Sequence, residues 1–512
     1  MSLAFGAKLD KIGYVEFNDL NLWVSIFVFA IIFSLILQFI WTKLSIIKII
    51  NASSSNSKIF YAWVTLPKPK QWLILNVLII RCWVPVFLAV YPGFFVYDAF
   101  DQYQQIVTRN FTTHHPLLHV LSLGGIIHVV YHLTGSHNLG IACFIFIQMM
   151  IMAGIFSYAL LKVSKKYLLY FGFFPVIVMF SLTSAKDALF TGCLLLVFIL
   201  CHELLTNPEK FWTSKLTLFM FAISSIGVML FRHNGRYAFW IFSLALLLLI
   251  KENRKKIALL LVFCIITAVL INNALIFILK AETGGKQELL TVPIQQMTRV
   301  WKYQPMNESD KLLLFEILPE KAMLTYNPKL SDTVKIHFNN EAFSDEPFKY
   351  VKLWFRLGVT HPFSYLNTWL MTSYGFWYPD TIIDVYRGNT VYTFTYEDSS
   401  FFGYEVEPPG IRDSKILWLD ELYRKMSHDI FQQKIPVISM LFSPGFMAWL
   451  FIFTLGYLWW QKRYRDLVPY LLPLIIWLTV LPGPTYLVRY VWFLWVLLPF
   501  MIDVLFRREK VG

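Results

Sequence analysis

Nearly unbroken apolar blocks, each about long enough to cross hydrocarbon, recur along this chain and set its solvent as lipid. They lie at 22–42, 72–95, 139–161, 167–184, 188–204, 216–232, 237–250, 256–279, 438–460, 467–482 and 486–506. That pattern predicts an all-α polytopic membrane protein with about eleven transmembrane helices. The blocks favour spanning helices over a barrel, whose strands would alternate apolar and polar residues over short segments, a pattern the sequence does not show. Hydrophobic residues make up 57% of the chain and mean hydropathy is +0.55, well outside soluble composition. The net charge of +13 does not point to nucleic acid, since most Lys and Arg fall in short loops between apolar blocks. The five cysteines, Cys82, Cys143, Cys193, Cys201 and Cys264, sit inside apolar stretches with no disulfide, zinc or redox spacing. A polar segment precedes the first block and no small-residue cleavage site follows it, so that block is expected to remain as an anchor.

The loop charges divide into two sets. One holds Lys43, Lys48, Lys58, Lys68 and Lys70, then Lys162, Lys165 and Lys166, then Lys251, Arg254, Lys255 and Lys256. It ends with Lys462, Arg463 and Arg465 and the tail Arg507, Arg508 and Lys510. The positive-inside rule makes this set cytoplasmic, with the N-terminus outside and the C-terminus inside. Counting 117–133 as a span would break the alternation, so it is expected to be a juxtamembrane helix, which also suits its interior His119 and His128. Four regions follow: an anchor and linker at 1–71, a transmembrane core at 72–279 with a first outer loop at 96–138, a small mainly helical extracytoplasmic domain at 280–436, and C-terminal helices at 437–512. Arg81 lies deep in the second block and is expected to have a partner.

The unusual polar residues gather on the outer side. Asp98, Asp101, His114 and His115 follow the second block; a carboxylate there can act as a general base or ligate a divalent cation, and the imidazoles can orient it or join the coordination. The tight turns carry Lys186-Asp187, then Arg232, Asn234 and Arg236, then Arg489-Tyr490. Cations on the outer side run against the usual bias, and holding a phosphate or pyrophosphate is a reason for them; snorkelling is the plainer one. The outer domain adds Gln295, Gln296 and Arg299, the carboxylates Glu316 and Glu320, and an aromatic run through Trp377, Tyr378 and Asp380. Aromatic planes beside carboxylates and amides suit a sugar, although Trp and Tyr also enrich at any membrane interface.

The string Tyr91-Pro92-Gly93, Tyr97-Asp98, Asp101-Gln102 and His114-His115-Pro116 resembles a group of poorly characterised bacterial membrane proteins. These in turn look like the GT-C superfamily of lipid-dependent glycosyltransferases. The stretches 184–187, 232–235, 292–299, 374–380 and 489–490 follow in matching order, so the resemblance runs from about residue 72 onward. It implies a polyprenyl-phosphate-linked sugar donor, a cell-envelope glycan or lipid acceptor, inverting displacement, and a multi-pass protein of the plasma membrane acting on its outer face. It also implies that Asp98 or Asp101 is the catalytic or metal-binding carboxylate. An Asp-x-Asp pair is absent, which leaves open a divalent cation such as magnesium or manganese on Asp98, Asp101, His114 and His115. A polymerase or ligase of lipid-linked oligosaccharides would use the same cations. A flippase would need charges through the depth of several spans.

Overall fold

In lipid every backbone polar group needs an internal partner, and a chain this apolar meets that need with helices. The computed structural model describes residues 1–46, 65–385 and 409–506; Lys48, Lys58, Pro408, Arg507, Arg508 and Lys510 fall outside them. The described residues are all-helical, with no strand and only three isolated bridges. Among them, seven helices are long and apolar enough to cross a membrane: Leu20–Ile46, Lys68–Ala89, Leu117–Thr134, His137–Lys162, Asp187–Thr206, Arg254–Leu279 and Val488–Phe506.

The other apolar blocks form shorter helices, and local features mark the starts of three of them. Pro175 divides 167–184: it removes an amide donor, pushes Phe174 out of helical geometry, and restarts the chain as the helix Pro175–Ser181. Ser214 and Ser443 cap the 17-residue helices Lys215–Phe231 and Pro444–Trp460 by accepting from Thr217 N and Phe446 N. The Leu117–Thr134 helix, read from sequence as juxtamembrane, thus meets the length and composition of a span. Its contacts are informative: His119 packs on Phe144, Gly140 abuts Ile127, and Tyr131 stacks on His137.

Two apolar clusters organise the molecule. The larger joins the long helices to the segments around Leu370–Val385 and Tyr423–Ile430. The smaller is built only from residues between Ile294 and Tyr365, with Leu314, Ile317, Val334 and Leu353 fully buried. Arg81 departs from expectation. It is exposed on the Lys68–Ala89 helix and has no ion pair or hydrogen bond among the described residues. That helix buries only its other face, against His137–Lys162 and the short helix after it, so Arg81 points away from protein.

Candidate functional site

The site begins where the Lys68–Ala89 helix ends. Gly93 takes φ +130°, and a Cβ there would lie 2.7 Å from Ile145 Cγ1, so only glycine fits this turn. The following residue, Phe94, pairs with the turn before Asp187–Thr206: Phe94 N donates to Leu182 O at 3.1 Å, and Ser184 N donates to Phe94 O at 3.0 Å. Val96 N then donates to Ser184 Oγ at 2.9 Å. These bonds fix the start of the Tyr97–Thr108 helix against Lys186. Asp98, in its first turn, is thereby brought beside a lysine 88 residues away in sequence.

Asp98 is the hub of an ion-pair network. Arg489 Nη1 donates to its Oδ2 at 2.9 Å, and Lys186 Nζ lies 3.6 Å from the same oxygen. Burial by itself would raise the Asp98 carboxyl, but Arg489, then Lys186 and His115, more than offset it and hold the group well below the usual carboxylate range. Arg489 also donates to Tyr97 Oη at 3.0 Å and lies over the Tyr97 and Tyr490 rings. Lys186 donates to His115 Nδ1 at 3.2 Å, which leaves the proton of the neutral imidazole on Nε2, facing Asp101 Oδ2 at 3.4 Å. Burial, then Lys186, lowers His115, while its hydrogen bond to Asp101 opposes that. Asp101 is mostly exposed and is held below its ordinary value first by His115.

A second pair lies behind this one. Arg232 Nη1 is 3.1 Å from Asp187 Oδ1 but out of line for a hydrogen bond, so both oxygens of the buried Asp187 lack a donor among the described residues. The guanidinium is sandwiched between the Phe190 and Tyr490 rings. Gly235 permits this arrangement, because a Cβ there would lie 2.2 Å from Val228 O. Asn234 donates to Thr479 Oγ1 at 2.9 Å, tying the turn to the C-terminal helices.

Asp98, Asp101, His115, Lys186, Arg232, Asn234 and Arg489 line one cavity of about 760 Å³, within the range of small-ligand sites. Three further charged groups of its lining come from the smaller apolar cluster's region and were not read from sequence: Glu288, Asp332 and Lys335. Lys335 Nζ binds Glu288 at 2.7 Å and Asp332 at 2.9 Å. Burial would lower the ammonium, but Asp332 and Glu288 hold it well above its ordinary value. A lysine spaced three residues after an aspartate is too common a helical pair to mark a site. The wall is tethered, since Ser331 N donates to Pro484 O at 3.0 Å and Thr485 Oγ1 to Lys329 O at 2.8 Å.

The structure thus brings together Asp98, Asp101, His114, His115, Lys186, Arg232, Asn234, Arg489 and Tyr490, with Asp187 behind them. The other candidates lie elsewhere. Gln295 and Gln296 are turned into the smaller cluster's region, donating to Asn327 O and Tyr365 O, and Gln296 also accepts from Trp354. Tyr378 packs between Gly6 of the N-terminal helix and Gly445, Trp377 O accepts from Trp449 Nε1, and Asp380 is exposed outside the cavity. Arg236 and Arg299 do not line it either.

The donors of the proposed cation site are already engaged with protein groups. Asp98 Oδ2 already faces Arg489 and Lys186, both His115 nitrogens are engaged, and no group of three or more His, Cys, Asp or Glu among the described residues is placed to hold a metal. An added dication would meet two fixed cations at Asp98.

Fold and cavity define a helical membrane protein with a charge-balanced pocket at one end of its helices. Residues 107–510 match the model of a family of unknown function (DUF6020), and the chain belongs to that family. The match begins after Tyr97, Asp98, Phe100 and Asp101 and takes in the other cavity residues. No curated protein and no solved structure matches the chain.

Proposed function

We propose that this chain is a GT-C-like membrane glycosyltransferase that moves a sugar from a polyprenyl-phosphate donor to a cell-envelope glycan or lipid on the extracytoplasmic face. The observation that carries this reading is Asp98 shared by Arg489 and Lys186 in a cavity at the ends of apolar helices. The helices have two chemically distinct ends. Asp187 and Glu203 sit on one helix, roughly 24 Å apart. The Glu203 end carries Lys162, Lys165, Lys166, Lys210, Lys251 and Arg254 to Lys256, which favours a cytoplasmic position for it and an outer one for the cavity.

In the reaction, Arg489, Lys186 and Arg232 hold the donor phosphate. As long as Asp98 is paired it is a poor base, because its proton affinity is far from that needed near neutral pH. A phosphate that takes hydrogen bonds from Arg489 and Lys186 weakens their hold on Asp98 and raises its basicity. Asp98 then accepts the acceptor hydroxyl's proton as that oxygen bonds to the anomeric carbon. The carbon–oxygen bond to phosphate breaks and its electron pair stays on the phosphate, with inversion at carbon. The three cations stabilise the leaving phosphate more as its charge grows.

Mass spectrometry of lipids co-purified with the protein tests the reading. A polyprenyl-phosphate sugar is expected in the wild type and depleted in Arg232→Ala. Only bulk phospholipid in both would reject the proposed donor.

A further inference from the structure

A second cavity, of about 940 Å³, lies between the N-terminal residues 12–19 and the segment carrying Arg299, Tyr303, Gln304 and Phe363. Its N-terminal wall is held in register by Asn367, which accepts from Val15 N at 2.7 Å and donates to Val15 O at 3.1 Å. Lys8 binds both acidic groups of that wall, Glu16 at 3.0 Å and Asp19 at 3.5 Å, and so offsets one of their two charges. Arg299 differs from every cation paired in the Asp98 cavity. It makes no ion pair within 4 Å among the described residues, although Glu16 and Asp19 line the same cavity, and it lies over the Tyr303 ring and interacts with Tyr326. Tyr14 and Tyr303 present exposed rings, and Asn18 and Gln304 supply amides.

We propose that this cavity binds an acidic saccharide. A sugar carboxylate accepts from the Arg299 guanidinium, ring C–H faces pack on Tyr14 and Tyr303, and hydroxyls bond to the amides. The site lies close to the first cavity. Pro328 lines it, and the next residue, Lys329, accepts from Thr485 beside the Asp98 cavity. As a holding site for an extended acceptor it rests on the sugar-transfer reading; as a binding site it stands independently.

The test is a saturation-transfer NMR titration of the full chain in phosphatidylcholine nanodiscs, using trigalacturonate and its carboxyl-reduced neutral counterpart. Trigalacturonate is expected to bind, with the neutral form about tenfold weaker, the scale of one charge-assisted hydrogen bond. Arg299→Gln and Tyr303→Ala should each weaken binding to a similar degree, and Asp98→Asn should bind as the wild type does. Because Tyr303 is largely exposed, its variant remains informative if Arg299→Gln fails to fold. Absent binding, equal affinity for the neutral form, or indifference to both substitutions overturns the proposal. Displacement by phosphatidylglycerol in the nanodisc would also overturn it, reassigning the cavity to a lipid headgroup. Loss of transfer in Asp98→Asn with saccharide binding intact separates this site from the first.

Discussion

The two ends of the Asp187–Thr206 helix each hold a buried carboxylate, and they are built differently. At one end Glu203 is satisfied: Lys162 donates to it at 2.8 Å, Tyr158 Oη at 3.2 Å, and Lys210 stands at 3.9 Å. At the other, Asp187 has Arg232 beside it and no hydrogen-bond donor among the described residues. Nearby, Asp98 draws Arg489 and Lys186 to one oxygen, while its Oδ1 accepts no hydrogen bond among the described residues. A fully bonded pair anchors a helix. A carboxylate with spare acceptor capacity beside cations that a ligand can claim is arranged to exchange partners.

The largest expected effect comes from Arg489→Met, which leaves Asp98 charged without its strongest partner. Breaking such a pair should cost about 3 kcal/mol, read as a lowered unfolding midpoint in detergent, and should abolish lipid binding. A variant as stable as the wild type would mean that the pair is not the hub. Next, the comparison itself can be broken on one helix. Glu203→Gln should cost about 1–2 kcal/mol with transfer unchanged, whereas Asp187→Asn should impair transfer at least as much as it impairs stability. Reversed outcomes would exchange the roles assigned to the two ends.

A smaller effect concerns pH. Burial and Lys186 hold His115 below its ordinary value of 6.5, so the native state binds fewer protons than the unfolded chain as pH falls through 6.5. Its contribution to stability is present above that value and is lost on acidification toward the folded-state value. His115→Gln should flatten the stability profile just below pH 6.5; an unchanged slope would place the titration elsewhere. Asp98, held low, should keep its pairs across the same range. The smallest effect is expected for Arg81→Leu. With no partner to lose, stability should stay within about 0.5 kcal/mol and transfer should persist. A large loss would reveal a partner for Arg81.

Much of this arrangement was legible in the sequence, for a physical reason. Charges at the ends of apolar blocks share a depth, so Asp98, Lys186, Arg232 and Arg489 could be assigned to one end of the bundle before any fold was known. Their pairing could not be read, because the Asp98–Arg489 contact spans 391 residues and depends on how the helices pack. Lys335, Glu288 and Asp332 were missed because they lie in a polar region where such residues are ordinary. Gln295, Gln296, Trp377 and Tyr378 were misleading for the opposite reason. Their types suit sugars, yet amides also satisfy buried carbonyls and aromatic rings also fill cores, and burial decides between these uses. Block length overstated continuity at 167–184, where one proline restarts the helix.

The most direct measurement is sugar transfer from a polyprenyl-phosphate donor in vesicles, comparing the wild type with Asp98→Asn. Asparagine preserves shape and can still accept from Arg489, but it cannot take a proton. The expected result is transfer by the wild type and, in the variant, retained lipid binding with transfer abolished. Full transfer by Asp98→Asn would contradict the account.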